Sequence, residues 1–208
     1  MPEQLIKGYR EFRLSDFEEQ KKLYETLGRS GQSPRVMLIS CSDSRVDPTD
    51  IFHAYPGEMF VLRNVANIVP RGDVDTPTPS TAAALEYAVK ILGVKVILVM
   101  GHESCGGVEG CLNGITDGFV GAWIDHLAPA RDRILARGLS GKEAQTELEL
   151  EGVRMSLQNL MSFDFISERV REGELVLQGA YFSIISARLL MMERTGVFAE
   201  VSPTDGDG

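Results

Sequence analysis

Two short apolar runs, RVMLIS and VKVILVM, constrain the fold of this chain most strongly, because neither alternates polar with apolar residues. A strand with one face in water shows that alternation, whereas a strand buried on both faces is a nearly continuous apolar run. Helical patterns separate such runs, as TAAALEYAVKILG does before the second one. Alternating strands and helices are typical of a parallel sheet covered on both faces. The sequence therefore predicts an α/β fold with a mainly parallel β-sheet flanked by helices.

The rest of the sequence predicts further helices, strands and loops. RLSDFEEQKKLYETLGRSGQSP predicts an N-terminal helix, in which Ser15 and Glu18 have the spacing of a capping box and glycines mark the end. A strand is predicted around Met59 to Leu62 and another in GELVLQGAYFSI, with largely helical sequence from Trp123 to Arg171. RGDVDTPTPS predicts a loop, and SPTDGDG predicts a frayed tail.

The domain organisation follows from the absence of a linker-like segment between these elements. We expect one domain over residues 1–208, with a helical arm at 1–30, an α/β core at 31–192 and a C-terminal segment and tail at 193–208.

Charge and hydropathy narrow the possible partners. The formal net charge is −9, and a nucleic-acid backbone would be repelled by such a chain. The longest apolar run, VILVM, is far too short to span a membrane, and MPEQLIKGYREF lacks the apolar core of a signal peptide. We therefore expect a cytoplasmic protein that binds neither nucleic acid nor membrane, and whose partner is a small molecule.

Unusual side chains follow two of the predicted strands. Cys41 comes directly after RVMLIS, and His102 and Cys105 follow VILVM in the segment GHESCGG. The carboxyl ends of parallel strands meet at one edge of a sheet, so these three side chains are expected to lie together. Two thiolates and one imidazole suit zinc, and three protein ligands leave a position open for catalysis. Alternatively, Cys41 is a small buried apolar residue, which is the reading we favour for Cys111.

Asp43 and Arg45 lie two and four residues after Cys41. Asp43 could occupy the open position on a metal, or it could accept a hydrogen bond from a metal-bound hydroxide. Arg45 could hold Asp43 off the metal through a bidentate pair. The simpler alternative is a surface ion pair of little consequence.

The blocks CSDSR and GHESCGG resemble those of the β-class carbonic anhydrases. The segments GQSPRVMLISCSDSRV, PGEMFVLRNVANIVP, STAAALEYAVK and GELVLQGAYFSI resemble the same family, and together they cover most of the stretch from Gly31 to Leu190. The resemblance implies a Rossmann-like sheet that extends across a dimer, with the N-terminal arm over the partner. It implies Zn²⁺ as the cofactor and CO2 and bicarbonate as the substrates. The implied reaction is the reversible hydration of CO2 to bicarbonate and a proton. The residues that it implies are Cys41, His102 and Cys105 as zinc ligands and Asp43 and Arg45 as the catalytic dyad.

Within that family the chain is more similar to the plant-like branch. The resemblance implies that the substrate pocket contains Gln32, Phe60, Val65, Tyr87, Gly106 and Gly107. In a dimer, or in a higher oligomer of dimers, Gln32, Phe60 and Tyr87 would reach the zinc of the neighbouring subunit. Alternatively, Gln32 caps the loop after the first helix and Tyr87 is a core aromatic residue.

One position separates this chain from the other branch of the family, and two further positions depart from the family pattern. Leu38 stands where the other branch has a tryptophan of an inhibitory bicarbonate site, so no such site is expected. Glu103 is charged where a small residue is expected, and Ser183 stands where many relatives carry an acidic residue.

Other functions use related sites. A zinc hydrolase of carbon disulfide or carbonyl sulfide on the same fold and a non-catalytic zinc protein are the main alternatives. Gln32 favours CO2, because a polar donor suits an oxygen atom better than sulfur, and the Asp43–Arg45 pair favours an enzyme. A thiol redox protein would carry C-x-x-C, and a zinc deaminase would carry P-C-x-x-C, and the sequence contains neither.

Overall fold

A computed structural model of the chain describes residues 2–72 and 79–202, and these form nine α-helices and six β-strands. The strands are β1 (Val36–Cys41), β2 (Met59–Asn64), β3 (Val96–His102), β4 (Val176–Ser183), β5 (Arg188–Met192) and β6 (Phe198–Glu200). The helices are α1 (Glu3–Leu14), α2 (Asp16–Ser30), α3 (Pro48–Ile51), α4 (Pro79–Glu86), α5 (Gly106–Leu112), α6 (Gly118–Ile124), α7 (Ala128–Ala136), α8 (Gly141–Leu160) and α9 (Asp164–Arg171).

The six strands form one mixed sheet in the order β2-β1-β3-β4-β5-β6. Strand β1 pairs in parallel with β2 and with β3, and β3 pairs in parallel with β4. Strands β5 and β6 add antiparallel pairs at one side. The predicted α/β fold with a mainly parallel sheet is therefore confirmed.

Both faces of the central strands are buried, as their continuous apolar sequences predicted. From β1, Met37 and Ile39 face a cluster that contains Val153 and Leu157 of α8. Leu38 faces the opposite side, where it packs in a second cluster with Met100. A third cluster lies at the carboxyl end of the sheet, where helices α5 to α8 cover Cys41, Cys105 and their neighbours.

Two glycines let α8 lie close against the sheet. A Cβ atom at Gly101 of β3 would come within 2.8 Å of Val153 Cγ2, and one at Gly179 of β4 would come within 3.0 Å of Val153 Cγ1. Val153 is fully buried and cannot move away into solvent. The absence of a side chain at Gly101 and at Gly179 therefore lets α8 lie this close to β3 and β4.

The N-terminal arm contains one helix more than the sequence predicted, because α2 begins at the predicted position after Ser15 and α1 precedes it. It consists of two helices, and Ser15 separates them with a non-helical backbone. The predicted capping box does not form, because the Ser15 hydroxyl donates to Glu11 O of the preceding helix and Glu18 pairs with Arg13 at 2.9 Å. Neither helix contains a buried residue. Phe12, Phe17 and Tyr24 of the arm pack on one another. By contrast, Leu5, Tyr9 and Leu14 are largely exposed.

The C-terminal part contains more regular structure than was expected. Strand β6 lies within 193–208, the segment predicted as a C-terminal extension. Most of the predicted loop RGDVDTPTPS and of the predicted tail SPTDGDG lies outside the described residues. Among the described helices, none has the length and apolar character needed to cross a membrane.

Replacement of Gly101 by alanine is expected to lower the free energy of unfolding by about 1–3 kcal/mol, because the new methyl group would overpack against Val153. The matched control is Gly28→Ala in α2, where a Cβ atom meets nothing within 4 Å. That control should be neutral or stabilising by up to about 1 kcal/mol, since alanine favours the helix. Urea unfolding of the three proteins measures both values. Equal stability of Gly101→Ala and wild type would show that the packing at this point is loose.

Candidate metal centre

Three potential metal ligands converge at the carboxyl edge of the sheet. Cys41 is the last residue of β1, His102 is the last residue of β3, and Cys105 immediately precedes α5. Because β1 and β3 are parallel neighbours, their ends lie side by side. The donor atoms of the three side chains lie within 4.8 Å of one another, and the two sulfur atoms are 3.9 Å apart. All three side chains are buried, so the cluster predicted from the sequence is formed.

The imidazole of His102 is oriented for a ligand. Its Nδ1 lies 2.9 Å from the carbonyl oxygen of Glu103, which can only accept a hydrogen bond, so Nδ1 carries the proton. The Nε2 lone pair is buried and has no hydrogen-bond partner among the described residues. A buried polar atom of this kind calls for an ion or another partner. A metal ion beside the two thiols would satisfy it.

The environment of Cys41 favours a thiolate. A hydrogen bond with the Cys105 thiol lowers the pKa of Cys41, and the nearby His102 and the backbone N–H of Ala66 act in the same direction. That N–H lies 3.3 Å from the sulfur atom. Two sulfur donors and one neutral imidazole are the donor set of a borderline-soft cation. The residues present therefore fit a metal ion.

A strained turn presents the Ala66 N–H to the sulfur. The φ angles of Ala66 and Asn67 are 61° and 47°, in the left-handed region that few residues other than glycine adopt. The indole N–H of Trp123 donates to the carbonyl oxygen of Val65 at 2.7 Å. The side-chain amide of Asn64 both donates to and accepts from the backbone four residues later, at 2.9 Å in each case. These bonds hold the turn in its unusual conformation.

Asp43 and Arg45 form the predicted bidentate pair. The guanidinium donates from Nε to Asp43 Oδ1 at 2.9 Å and from Nη2 to Oδ2 at 2.7 Å. Nη2 also donates to the carbonyl oxygen of Ser104 at 3.0 Å, which ties the pair to the loop between His102 and Cys105. The hydrogen bond from Arg45 holds the pKa of Asp43 well below its usual range. Asp43 Oδ2 lies 4.0 Å from His102 Nε2, so the carboxylate is directly beside the candidate metal ligands.

Arg63 organises the loop that carries these groups, although the sequence analysis did not single it out. Its guanidinium donates to the carbonyl oxygens of Cys41, Asp43 and Val46 at 2.9, 2.7 and 2.8 Å. It also lies 3.3 Å from Asp47. A lone cation within the apolar stretch MFVLRN was the available signal for such a role.

Glu149 of α8 is a second residue that the sequence analysis missed. Its buried carboxylate accepts hydrogen bonds from the Cys105 N–H at 2.9 Å, from the Tyr181 hydroxyl at 2.7 Å and from the Gln145 amide at 3.1 Å. Burial raises the pKa of Glu149, while these hydrogen bonds oppose that shift. In the sequence, this residue is indistinguishable from the other acidic residues of TELELEG.

Part of the expected substrate pocket lies beside the cluster. Val65 follows β2 and is partly exposed, and Gly107 packs directly against it. A Cβ atom on Gly107 would come within 2.7 Å of Val65 Cγ1, so glycine lets the helix start lie close to Val65. At Gly106, by contrast, a Cβ atom would meet no described atom within 4 Å.

The other expected pocket residues lie elsewhere in this chain. Phe60 contacts Tyr87, with ring centroids 5.8 Å apart, and Tyr87 is 46% exposed. Phe60 precedes Asn64, the partner of Cys41 in the sheet, by four residues, a distance of about 13 Å along a strand. Gln32 is exposed in the connection between α2 and β1. These three residues are therefore separated from the metal cluster of their own chain.

Comparison with known proteins identifies relatives over nearly the whole chain. The family model for carbonic anhydrases matches residues 36–189. A curated relative, β-carbonic anhydrase 3 of Arabidopsis thaliana, is 37% identical over 200 residues, which cover 92% of this chain and 76% of the relative.

Solved structures give the same result. The β-carbonic anhydrase CcaA has a TM-score of 0.89 and 32% identity, with 97% of this chain and 92% of that chain covered. A tetrameric β-carbonic anhydrase of the ascomycete Sordaria macrospora has a TM-score of 0.83 and 28% identity, with 96% and 98% covered. The family model, the relatives and the Cys-His-Cys cluster agree, and the chain belongs to the β-class carbonic anhydrases.

Proposed function

We propose that this protein is a zinc-dependent carbonic anhydrase that catalyses the reversible hydration of CO2 to bicarbonate and a proton. The observation that carries the proposal is the convergence of two thiols and a buried imidazole nitrogen beside an ion-paired carboxylate. Within residues 2–72 and 79–202, this nitrogen has no hydrogen-bond partner. The family to which the chain belongs supports the same reaction.

Cys41, His102 and Cys105 would hold the zinc ion. Three protein ligands leave one tetrahedral position open, as is typical of catalytic zinc sites. The ion would supply Lewis acidity that makes water nucleophilic near neutral pH. The protein contributes a buried site in which each donor is fixed by its strand end or by a hydrogen bond from the backbone.

Asp43 would orient the nucleophile. Its pKa is held low by Arg45, so it remains a carboxylate and an acceptor through the neutral range. An acceptor fixed beside the reacting atoms holds the proton of the nucleophile and directs a lone pair at the substrate. Arg45, anchored on Ser104 O as well, keeps the carboxylate from turning towards the metal ligands.

We further propose that the active sites are completed across a homodimer, or across a higher oligomer built from dimers. Val65 and Gly107 would form the near side of a small apolar pocket, and Gln32, Phe60 and Tyr87 of a neighbouring subunit would form the other. Their separation from the cluster in one chain supports this arrangement. The unburied two-helix arm supports it too, since Leu5, Tyr9 and Leu14 are 66%, 62% and 81% exposed. The described tetrameric relative is consistent with such assembly.

We infer a cytoplasmic location and a single catalytic domain. All three cysteines are unpaired and buried, as is usual in a reducing compartment. One sheet and its helices contain every residue assigned to the zinc site. The net charge of −9 continues to argue against nucleic acid as a partner.

Asp43→Asn tests the proposed mechanism. The variant should retain its metal, because Asp43 is not among the three clustered donors, and kcat for CO2 hydration should fall by about 10²- to 10⁴-fold. In wild type, loss of activity between pH 9 and 6.5 should not reflect Asp43, whose lowered pKa keeps it ionised over that range. Stopped-flow measurement of kcat for CO2 hydration across this pH range, with metal analysis of each sample, tests both expectations.

The control for this experiment is Asp50→Asn, which changes an exposed carboxylate in α3. It should hydrate CO2 at nearly the wild-type rate. A metal-loaded Asp43→Asn enzyme with unimpaired turnover would remove Asp43 from the mechanism. Rapid hydrolysis of carbon disulfide or carbonyl sulfide by wild type, without CO2 hydration, would assign the site to the sulfur substrates instead.

Shared active sites can be tested by mixing subunits. A Gln32→Ala protein and a Cys41→Ala protein should each be nearly inactive, because each lacks one side of every site. Dissociated and reassociated mixtures should regain activity, since a mixed dimer contains one site with intact Gln32 and intact Cys41. Native mass spectrometry verifies that mixed dimers form. Mixed dimers without recovered activity would show that each subunit completes its own pocket.

A further inference from the structure

Glu103 fixes the end of β3 through two backbone hydrogen bonds. Its N–H donates to Phe182 O at 2.9 Å, which continues the pairing of β3 with β4 by one residue. Its carbonyl oxygen accepts from His102 Nδ1 at 2.9 Å. The second bond selects the tautomer that leaves Nε2 free. A rotation of the peptide after Glu103 would remove the acceptor from the imidazole.

That peptide leads into a strained residue. Ser104 has a φ angle of 56°, which is unfavourable for a residue with a side chain. Conformations of this kind persist only where surrounding contacts hold them. Arg45 supplies one such contact, by donating to Ser104 O at 3.0 Å. The side chain of Glu103 supplies others.

The Glu103 carboxylate is anchored on the turn between β4 and β5. Oε2 accepts a hydrogen bond from the Ser183 hydroxyl at 2.7 Å and another from the Ile185 N–H at 3.3 Å. Oε1 lies 3.6 Å from Lys142 Nζ, whose side chain is 75% exposed, whereas that of Glu103 is 14% exposed. The hydrogen bond from Ser183 lowers the pKa of Glu103, so the acceptor remains ionised.

The contact joins the ligand loop to the end of β4. Glu103 lies between His102 and Cys105 in the chain, and Ser183 is the last residue of β4. The structure places these two side chains in direct contact. A side-chain hydrogen bond therefore attaches the ligand loop to a strand of the sheet.

We propose that Glu103 is a positioning residue for His102, which acts by anchoring the ligand loop to Ser183 and to the β4–β5 turn. The inference rests on the proposed role of His102 as a zinc ligand. Partners of this kind, which hold a ligand by its second nitrogen, typically change metal affinity by about 10- to 100-fold when they are lost. The role is geometric, so it depends on the anchoring bonds and not on the charge of the carboxylate.

Four single variants distinguish an effect of the anchoring bonds from an effect of the carboxylate charge. Glu103→Ala removes every anchoring bond of the Glu103 carboxylate, and Ser183→Ala removes only the shorter one. Glu103→Gln retains an oxygen that can accept from Ser183 and Ile185, and Lys142→Ala removes only the exposed ion pair. Affinity for Zn²⁺ is measured by competition with a chromophoric chelator. The absorption spectrum of the Co²⁺-substituted protein reports the geometry of the ligands.

Glu103→Ala should bind Zn²⁺ about 10- to 100-fold more weakly than wild type, and Ser183→Ala should show a smaller loss in the same direction. Both should have altered Co²⁺ spectra. Glu103→Gln and Lys142→Ala should bind within about 3-fold of wild type, since the anchoring bonds survive. If Glu103→Ala fails to fold by circular dichroism, Ser183→Ala against Lys142→Ala provides the decisive comparison.

Wild-type affinity and spectra in both Glu103→Ala and Ser183→Ala would overturn this inference alone, because wild type would still bind its metal. Equal weakening in Glu103→Gln and Glu103→Ala would overturn it as well, since charge would then be the cause. Wild-type protein that binds no Zn²⁺ would overturn the proposed function, and this inference with it.

Discussion

The parallel pairing of β1 with β3 is the constraint on which the rest of the structure depends. It places the buried carboxyl ends of two strands side by side, and those ends carry Cys41 and His102. No local feature of the chain could bring together residues 61 positions apart (102 − 41). The apolar strands therefore do more than form a core, because their burial fixes the distance between two donors. Cys105 joins them through the short loop that starts at the end of β3.

Around this pair, the protein stabilises conformations that would be unfavourable alone. Left-handed backbone at Ala66 and Ser104 brings an N–H to the Cys41 sulfur and turns the chain from His102 to Cys105. Each such residue costs about 1–3 kcal/mol. Hydrogen bonds from Trp123 and Arg45 to neighbouring carbonyl oxygens hold these turns. The rigidity of the site thus originates in polar contacts that surround the donors.

The sequence was sufficient to predict the central strands, the Cys-His-Cys cluster and the Asp43–Arg45 pair, because each depends on strand ends or on local spacing. It was insufficient for Arg63 and Glu149, whose partners are distant in sequence and whose types are common on surfaces. The helix start at Ser15 was predicted, but α1 was missed, because a capping pattern does not reveal a helix that ends one residue earlier. The contact between Glu103 and Ser183 could not be predicted, because it depends on the pairing of β3 with β4 across about 80 residues of sequence.

The central claim is that Cys41, His102 and Cys105 bind a zinc ion that supports CO2 hydration. The most direct test measures the zinc content and the stopped-flow hydration rate of the same samples, for wild type and for Cys105→Ser. The account predicts about one zinc per wild-type chain with hydration that rises with pH, and loss of both zinc and activity in the variant. Wild-type protein that is fully loaded with zinc but inactive, or a Cys105→Ser variant that retains zinc and activity, would contradict it.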